Sequence, residues 1–388
     1  NFISENLFDE KKKFSKLGFV TTWNSRCGIA SYSKNLISCM EKEVIIFTPL
    51  NETDSFLENN TIIPSWELNE EYQDFTALID NILSRKITSI LIQFNYGFFS
   101  FSKFSKLVDI LAEHNINILI LLHSTQDPDN DPYKKIVFLK DVLVKCQRLL
   151  VHTLDDVNRL KNIGLIDNVS LLPHGFCDID KSKYLKNSSS SFSYRKKSIA
   201  SYGFCLPNKG YKELIEAISI LRKSNLDIYL TIYCAIYSSE FQWVSDELFA
   251  LRDELGLEKY VTINNNYMND EDTLSELNSY DCLIFPYQFS KESSSASVRQ
   301  GLLSLRPVLV TPLNIFNDIS NLVQYLPGFT PEDLANGLRN WFIKEKNNKK
   351  IFDKSQAKRK EIITARSFSK VSKRLLNIIE SLELNNSN

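Results

Sequence analysis

The stretch KESSSASVRQGL, residues 291–302, brings one carboxylate, four hydroxyl groups and one guanidinium to the start of a predicted helix. The serines Ser293–Ser295 can cap the helix, and the free backbone N–H groups of its first turn attract anions. Glu292 precedes these serines and Arg299 follows them, so both would flank a bound anion. The stretch therefore predicts a site for a ligand that carries phosphate.

A second stretch, SYGFCLPNKGYKELIEAI (201–218), places Lys209 and Gly210 between a predicted strand and a predicted helix. An ammonium group and unpaired helix N–H groups could hold a phosphate together. The alternative is a solvated lysine, but a positive charge at a helix N-terminus is mildly unfavourable against the helix dipole. This mismatch favours phosphate binding by Lys209.

Polar groups also follow strands in the first half of the chain. Gly28 lies in TTWNSRCGIASYSKNL, where it predicts a tight turn before a helix; the turn either binds an anion or sugar hydroxyl or is purely structural. Gln93, Asn95 and Tyr96 follow the strand ITSILIQF (87–94), and their amide and phenol groups suit sugar hydroxyls. A polar loop over a core aromatic residue is the alternative for these three.

Three of the four histidines, His123, His152 and His174, follow predicted apolar strands. A single histidine in such a place is more often structural, but three at one edge of a sheet would be an unusual use of a scarce residue. Of the three, His123 is expected to be functional in preference to His152 and His174.

The composition is that of an ordinary globular protein, with 43% hydrophobic and 24% charged residues and a formal net charge of −1. Nothing in the overall charge points to a protein that binds nucleic acid. The seven cysteines are scattered and form no C-x-x-C pair, so neither a disulfide framework nor a zinc site is predicted, and a reducing cytoplasm is expected. The glycine fingerprints of dinucleotide-binding and P-loop proteins are both absent, which argues against an NAD enzyme or an ATPase.

Short apolar strands alternate with amphipathic helices in both halves of the chain, which predicts an α/β protein with parallel sheets covered on both faces. The Ser- and Lys-rich residues 177–197 interrupt this alternation and are predicted to be a linker. We therefore expect an N-terminal domain over 1–176 and a C-terminal domain over 198–350. Residues 351–388 are expected to form a helix that packs back across the domain junction.

Ligands of doubly wound α/β domains gather outside the carboxyl ends of the strands. The predicted architecture is thus two Rossmann-like, doubly wound parallel-sheet domains that face a central cleft. All the candidate residues named above fall at predicted strand ends, where they would line that cleft.

These motifs together resemble the GT-B glycosyltransferases, in particular the retaining enzymes of family 4, over most of the chain. The resemblance rests on CGIASYSKNL, LLHST, LLPHGF, YGFCLPNKG and KESSSASVRQGLLSLRPVLVTP, the last in place of the family's E-x(7)-E region. The variants YGFCLPNKG and ESSSASVRQGL are most similar to enzymes that build bacterial surface polysaccharides and lipopolysaccharide, many of them mannosyltransferases.

The resemblance implies that the chain transfers a hexose from a nucleotide sugar, with GDP-mannose favoured and a UDP-hexose as the alternative. It implies no cofactor and no metal, and as catalytic residues Glu292, His123 and Lys209. Binding of the donor is implied for Gly28, Phe204, Lys209, Ser293, Ser294, Ser295, Arg299 and Gln300, and binding of the acceptor for Gln93, Asn95, Tyr96 and His174.

Two positions depart from the family pattern. Phe204 stands where an arginine is usual, and Gln300 stands where a second glutamate is usual. Arg299 could supply the missing positive charge, and the Gln300 amide could still bond a ribose hydroxyl, although more weakly than a carboxylate. The alternatives are a nucleotide-sugar epimerase of the same fold and a catalytically weak sugar-binding subunit.

The acceptor implied is a growing glycan or a lipid-linked glycan, and no nucleic acid partner is expected. A cytoplasmic protein is expected, with peripheral contact to the inner face of the cell membrane as a further expectation. Three basic or aromatic segments, at 10–16, 98–106 and 354–360, could make that contact. Solvated charged surfaces are the alternative explanation of these segments.

Overall fold

The computed structural model describes residues 16–25, 27–52, 56–57, 60–68, 73–178 and 197–385. The chain divides into two compact units. Unit 1 comprises Asn1–Gly175, Lys291–Ser294 and Phe368–Asn388, and unit 2 comprises Phe176–Ser290 and Ser295–Ser367.

The described strands of unit 1 form one sheet: β1 (Leu17–Val20), β2 (Val44–Pro49), β3 (Phe56–Leu57), β4 (Asn60–Trp66), β5 (Ser89–Phe94), β6 (Asn117–Leu122), β7 (Arg148–Val151) and β8 (Val169–Leu171). Their order is β3-β4-β2-β1-β5-β6-β7-β8, and all pairs are parallel except β3 with β4. The helices described between them are α1 (Gly28–Ser38), α2 (Thr76–Ser84), α3 (Phe101–Glu113), α4 (Lys140–Leu143) and α5 (Leu154–Asn162). β5 and β6 are buried along their whole length, as expected of central strands with both faces covered.

The described strands of unit 2 form a second, wholly parallel sheet: β9 (Lys197–Phe204), β10 (Ile228–Ala235), β11 (Val261–Asn264), β12 (Cys282–Phe285), β13 (Val308–Val310) and β14 (Gln324–Tyr325). Their order is β11-β10-β9-β12-β13-β14. The helices of this unit are α6 (Tyr211–Lys223), α7 (Gln242–Glu254), α8 (Asp270–Leu277), α9 (Ala296–Leu303), α10 (Pro331–Ile343) and α11 (Glu345–Ala365). The prediction of two doubly wound parallel-sheet domains is confirmed.

The strand order reverses once in each parallel sheet, between β1 and β5 in unit 1 and between β9 and β12 in unit 2. At such a point the connections leave toward opposite faces of the sheet and open a crevice at the carboxyl ends of the two strands. The turn that carries Gly28 follows β1, Gln93 lies near the carboxyl end of β5, and the turns that carry Lys209 and Ser293 follow β9 and β12. The histidines His123, His152 and His174 instead follow β6, β7 and β8.

The end of the chain differs from the predicted single helix. α11 ends at Ala365, and after Arg366 and Ser367 a separate helix, α12 (Phe368–Asn385), begins. α11 belongs to unit 2, whereas α12 belongs to unit 1 and packs against α1. The apolar side chains predicted to dock, among them Val371, Leu375 and Ile379, are fully buried.

β4 was not among the predicted strands, and it contains Pro64, a residue uncommon within a sheet. The predicted linker, 177–197, lies almost wholly outside the described residues, so its boundaries and those of the domains stay predictions.

Candidate functional site

The turn that carries Lys209 is fixed by close packing in unit 2. After β9 a short 3₁₀ turn, Pro207–Lys209, leads through Gly210 into α6. Gly210 has a φ of 73°, and a Cβ added to it would lie 1.8 Å from the Pro286 carbonyl oxygen. The Gln288 N–H also donates to the Asn208 carbonyl at 2.9 Å. Only glycine permits this approach, which ties the turn to the segment that follows β12.

The Lys209 ammonium lies over the ring of Tyr287, 3.9 Å from its centroid. The Tyr287 hydroxyl forms a hydrogen bond of 3.1 Å with Ser295 Oγ, and Ser295 is the N-cap of α9, accepting from the Val298 N–H at 3.3 Å. One buried aromatic side chain thus joins a cation to a helix N-terminus at the switch point of unit 2. Both groups favour negative charge.

Arg299 is placed differently from the prediction that it would flank a bound anion. It is 2% exposed, pairs with Asp318 and donates to the Ser295 carbonyl at 3.0 Å. Asp318 also accepts from Arg366. Because a buried carboxylate already neutralises Arg299, its predicted role as a substitute for the missing arginine is weakened.

Gln300 is buried on α9, and its amide lies beside Cys177 and the carboxyl of Asp270. Burial raises the pKa of Asp270, and hydrogen bonds from Gln300 and Cys177 partly offset this. Ser294 is also buried, at 8% exposure. Neither side chain is openly presented in this arrangement, so their predicted contacts with a donor stay predictions.

Phe204, at the end of β9, lines a small pocket of about 40 Å³ in unit 2. Three tyrosines share this pocket, Tyr202, Tyr233 and Tyr267, and Asn266 adds an amide. Phe204 also meets the ring of Tyr237 edge to face at 5.4 Å between centroids. Where the family pattern has a charged side chain, this chain has a phenylalanine among aromatic neighbours.

Glu292 is exposed and lies between two anchored neighbours, in the part of the chain that belongs to unit 1. The Lys291 carbonyl accepts a hydrogen bond from Ser124 Oγ, and Lys291 Nζ donates to the Asp127 carbonyl at 2.7 Å. On the other side, the Ser293 N–H donates to the His123 carbonyl at 3.1 Å. The backbone on both sides of Glu292 is therefore held next to the end of β6.

Asp156 completes this anchoring, and sequence reasoning overlooked it. Its carboxylate is fully buried and accepts hydrogen bonds from Ser293 Oγ at 2.8 Å, Thr125 Oγ1 at 2.7 Å and Arg159 at 2.8 Å. It also forms a capping box with Thr153 at the start of α5. Burial alone would raise the pKa of Asp156, but the hydrogen bonds from Thr153, Thr125, Ser293 and Arg159 outweigh it and hold the pKa below its usual value. The capping-box spacing was visible in the sequence, but the bond to Ser293 was not.

Ser293 consequently has a role other than the predicted one. Its hydroxyl donates to Asp156 rather than capping α9, and Ser295 alone of the three serines is the N-cap of that helix. The prediction of three serines acting alike at one helix end is wrong in this respect, because the chain passes from unit 1 to unit 2 between Ser294 and Ser295.

The three histidines at strand ends meet around Tyr32 of α1. The centroid of the Tyr32 ring lies 5.1 Å from His123, 5.4 Å from His152 and 4.9 Å from His174. Phe368 of α12 also packs on Tyr32, at 5.2 Å. Convergence of the histidines was expected, whereas the tyrosine at their centre was not.

The ring nitrogens of His123 both face protein groups. Nε2 lies 2.6 Å from Gln93 Oε1, and Nδ1 lies 3.4 Å from His152 Nε2. His152 donates through its other nitrogen, Nδ1, to the Leu172 carbonyl at 3.0 Å. Burial and the neighbouring His152 hold the pKa of His123 well below its usual value, so the ring is neutral. A sugar hydroxyl could bond this imidazole only by displacing Gln93 or His152.

The residues predicted to bind an acceptor are mostly engaged within unit 1. Gln93 is fully buried against His123, and His174 is 7% exposed with Nδ1 at 2.9 Å from the Gly175 carbonyl. The Tyr96 hydroxyl donates to Asp127 at 2.9 Å, and Asn95 Oδ1 accepts from the Gly97 N–H at 2.9 Å. Their contact with an acceptor stays a prediction.

Gly28 begins α1 with Cys27 as the N-cap. A Cβ added to Gly28 would meet nothing within 4 Å, so the glycine is not required for packing within the described residues. The first turn of α1 is thus open to a ligand on this side. Both interpretations of the turn, ligand binding and a purely structural role, therefore stay predictions.

Within the described ranges, no group of three or more His, Cys, Asp or Glu side chains is arranged to hold a metal ion. Over the same residues, no helix combines the length and apolar character needed to cross a bilayer. The predicted absence of a metal stays a prediction.

No protein-family model matches the chain, and a search of curated proteins found no match. Solved structures do match over nearly the whole length. A glycosyltransferase from Rickettsia africae ESF-5 has a TM-score of 0.73 at 15% identity, covering 96% of this chain and 99% of that one. Sucrose-phosphate synthase from Thermosynechococcus elongatus has a TM-score of 0.70 at 11% identity, with 95% and 99% covered. Anabaena HepE in complex with UDP has a TM-score of 0.71 at 11% identity, with 94% and 100% covered. At these identities the likeness establishes the fold, which is GT-B.

Proposed function

We propose that this chain is a glycosyltransferase that takes a hexose from a nucleoside diphosphate sugar. The observation that carries the proposal is the placement of Lys209 over Tyr287, whose hydroxyl bonds the N-cap of α9. Breaking a sugar–phosphate bond leaves negative charge on the diphosphate, so the site must above all stabilise the leaving group. A lysine and a helix N-terminus at one switch point supply fixed positive charge for this purpose.

Glu292 is proposed to bond the hydroxyl groups of the donor sugar. Its support is the anchoring of both neighbours, Lys291 and Ser293, which limits the positions that the exposed carboxylate can take. A carboxylate held in this way can accept hydrogen bonds from a diol without the entropic cost of ordering a loop. Retention of anomeric configuration, metal independence and a glycan or lipid-linked acceptor belong to the same proposal.

The nucleotide is proposed to be uridine or guanosine diphosphate. The motifs favour GDP-mannose through their resemblance to surface-polysaccharide enzymes. The structures of HepE with UDP, and with UDP and glucose, favour a UDP-hexose instead. Both nucleotides would place the diphosphate next to Lys209, so that contact does not distinguish them. Measured affinities for UDP and GDP would decide between the two donors.

The test is calorimetric titration of the full chain with UDP, GDP, UDP-glucose and GDP-mannose, using Lys209→Ala and, as a matched control, Lys212→Ala. Lys212 is an exposed lysine on the first turn of α6. We expect Lys209→Ala to weaken diphosphate binding about tenfold or more, the equivalent of ~1.4 kcal/mol, and to leave binding of the free nucleoside unchanged. Equal affinities of the two variants for the diphosphates, or no binding by the unmodified chain, would refute the proposal.

A second candidate function is donor binding without efficient transfer. Gln300, in place of the usual glutamate, favours it, because a neutral amide binds a ribose hydroxyl less strongly than a carboxylate does. The two candidates differ in turnover. Release of free nucleoside diphosphate that depends on an added glycan acceptor supports the transferase, and tight donor binding with no release under the same conditions supports the binding subunit.

A further inference from the structure

Asp270 is a carboxylate of unit 2 that the proposed reaction does not yet use. It is the first residue of α8 and comes after the loop that follows β11, at the carboxyl edge of the sheet. Its side chain is partly exposed, and burial of the rest raises its pKa. A carboxyl group whose charge is disfavoured by burial is a candidate for a role in binding rather than in stability.

Gln300 of α9 is the neighbour that orients this carboxylate. α8 packs against α9, and the Gln300 amide donates a hydrogen bond to Asp270. Cys177 adds a weaker donor, with its Sγ 3.9 Å from Asp270 Oδ2. Two carboxylate oxygens have about four acceptor positions between them, so these two donors leave room for further hydrogen bonds. Asp270 is therefore held in place without being saturated.

This pairing accounts for the amide at position 300, where the family pattern has a glutamate. A glutamate there would place a second carboxylate next to Asp270 in a partly buried setting, and each negative charge would disfavour the other. An amide instead donates to the carboxylate that is present. The negative charge has thus moved from α9 to the start of α8 and has not been lost.

Asp270 also lies near the small pocket at the end of β9. Burial raises the pKa of Tyr202 to about 12, and the nearby charges of Asp270 and Tyr267 add to this rise. Tyr202, Tyr267 and Met268 all line the pocket. The carboxylate is therefore next to a concave surface of unit 2, where a ligand can meet its exposed part.

We propose that Asp270 binds the two neighbouring hydroxyl groups of the donor's ribose, with Gln300 as its positioning residue. Each carboxylate oxygen accepts a hydrogen bond from one hydroxyl. The donor proposed above carries neighbouring hydroxyls on its hexose and on its ribose, and Glu292 is already assigned to the hexose. Carboxylates beyond the strands of doubly wound domains hold ribose hydroxyls in this manner. The inference rests on the proposed function and adds a residue that selects ribonucleotides.

The test is calorimetric titration of the full chain with UDP, GDP and their 2′-deoxy and 3′-deoxy forms. The test variant is Asp270→Asn, and the matched control is Glu271→Gln, which removes an exposed carboxylate from the next position of α8. Thermal unfolding verifies that both variants fold. Asp270→Asn should keep the midpoint of the unmodified chain, because it replaces a charge that burial disfavours.

We expect the unmodified chain and the control to bind one of the two ribonucleotides about tenfold or more tightly than its deoxy forms. Asp270→Asn should bind the ribonucleotide as weakly as the deoxy forms, since loss of the carboxylate and loss of a hydroxyl break the same hydrogen bonds and do not add. Additive losses, or unchanged affinity of Asp270→Asn, would overturn the assignment and leave the proposed transfer standing.

Two other outcomes separate this inference from the proposed function. A loss with UDP-glucose or GDP-mannose, but none with UDP or GDP, would overturn the assignment because the bound hydroxyls would belong to the hexose. Absence of nucleotide binding by the unmodified chain would refute the proposed function itself, and this inference with it.

The pairing with Gln300 has a test of its own, which needs no ligand. Gln300→Glu should lower the midpoint of thermal unfolding at neutral pH, because it places a second carboxylate beside Asp270. Adding Asp270→Asn to this variant should restore the midpoint, and adding Glu271→Gln should restore it less. Equal recovery by the two additions, or no effect of Gln300→Glu, would contradict the pairing.

Discussion

The buried carboxylate of Asp156 offers the sharpest test of how the segment around Glu292 is held. One of its oxygens accepts from Ser293, Thr125 and Arg159, and the other from the hydroxyl and backbone N–H of Thr153. The substitution Asp156→Asn keeps the size of the side chain but removes the charge. It also turns one acceptor oxygen into an NH₂ group that faces donors.

The expected loss follows from these contacts. A hydrogen bond to a charged group contributes about 1.5–3 kcal/mol, and breaking a buried ion pair costs about 3–5 kcal/mol. The hydroxyl donors can rotate to accept instead, and the Arg159 side chain is 31% exposed, so water can replace part of its interaction. We therefore expect Asp156→Asn to lower the free energy of unfolding by about 3 kcal/mol, near the lower limit for a buried pair.

The assay is urea unfolding at pH 7, followed by fluorescence, with Asp167→Asn as control because Asp167 is an exposed carboxylate of unit 1. The control should change stability by less than about 0.5 kcal/mol. The pKa of Asp156 is lowered in the folded chain, so its contribution is present above the unfolded pKa of ~3.9 and is lost as the pH falls through the folded value. The two chains should converge in acid. A loss no larger than that of the control would refute the reasoning.

Gly210→Ala should destabilise the chain more than Gly256→Ala does. Both glycines have positive φ, but only at Gly210 would the added Cβ meet a backbone oxygen. The midpoints of thermal unfolding measure the difference, and equal midpoints would contradict it. The pKa of His123 is lowered in the folded chain, so below pH ~6.5 the unfolded chain takes up a proton that the folded chain does not. The free energy of unfolding should therefore fall by about 1.4 kcal/mol per pH unit below that value. His123→Gln, unfolded in urea from pH 7 to pH 5, should show a shallower decline. Arg299→Met should lower the free energy of unfolding by about 3 kcal/mol, because it removes the buried arginine that pairs with Asp318. Affinity for UDP or GDP should change little. A loss of affinity without a loss of stability would support the predicted role of Arg299 in donor binding.

The architecture could be predicted from the sequence because its signals are local. Each central strand is a short apolar run, such as ILIQF or ILILL, and each run is followed by a helical pattern. The position of Lys209 was predictable for the same reason, since a strand, a Lys-Gly pair and a helix succeed one another within 18 residues of chain (201–218). Features that depend only on neighbouring residues, such as these strands and helices, can therefore be predicted from the sequence.

The partners of the site residues could not be predicted, because they come from distant parts of the chain. Arg299 looks like an anion-binding residue until Asp318 is placed beside it. Ser293 looks like a helix cap until Asp156, 137 positions earlier, is found to accept its hydrogen bond. The identity of a residue gives the chemistry that it can perform, but tertiary packing decides whether that chemistry is already used by the protein itself.

The assignment of α12 to unit 1 has a consequence for the way this protein is made. Domains generally fold as they emerge from the ribosome, the N-terminal one first. Here the earliest-synthesised sheet lacks the helix that covers Tyr32 until residues 368–385 have been translated, after the whole of unit 2. Unit 2 can thus finish folding first although it is made later, and a nascent chain stalled before Phe368 would expose apolar surface to chaperones.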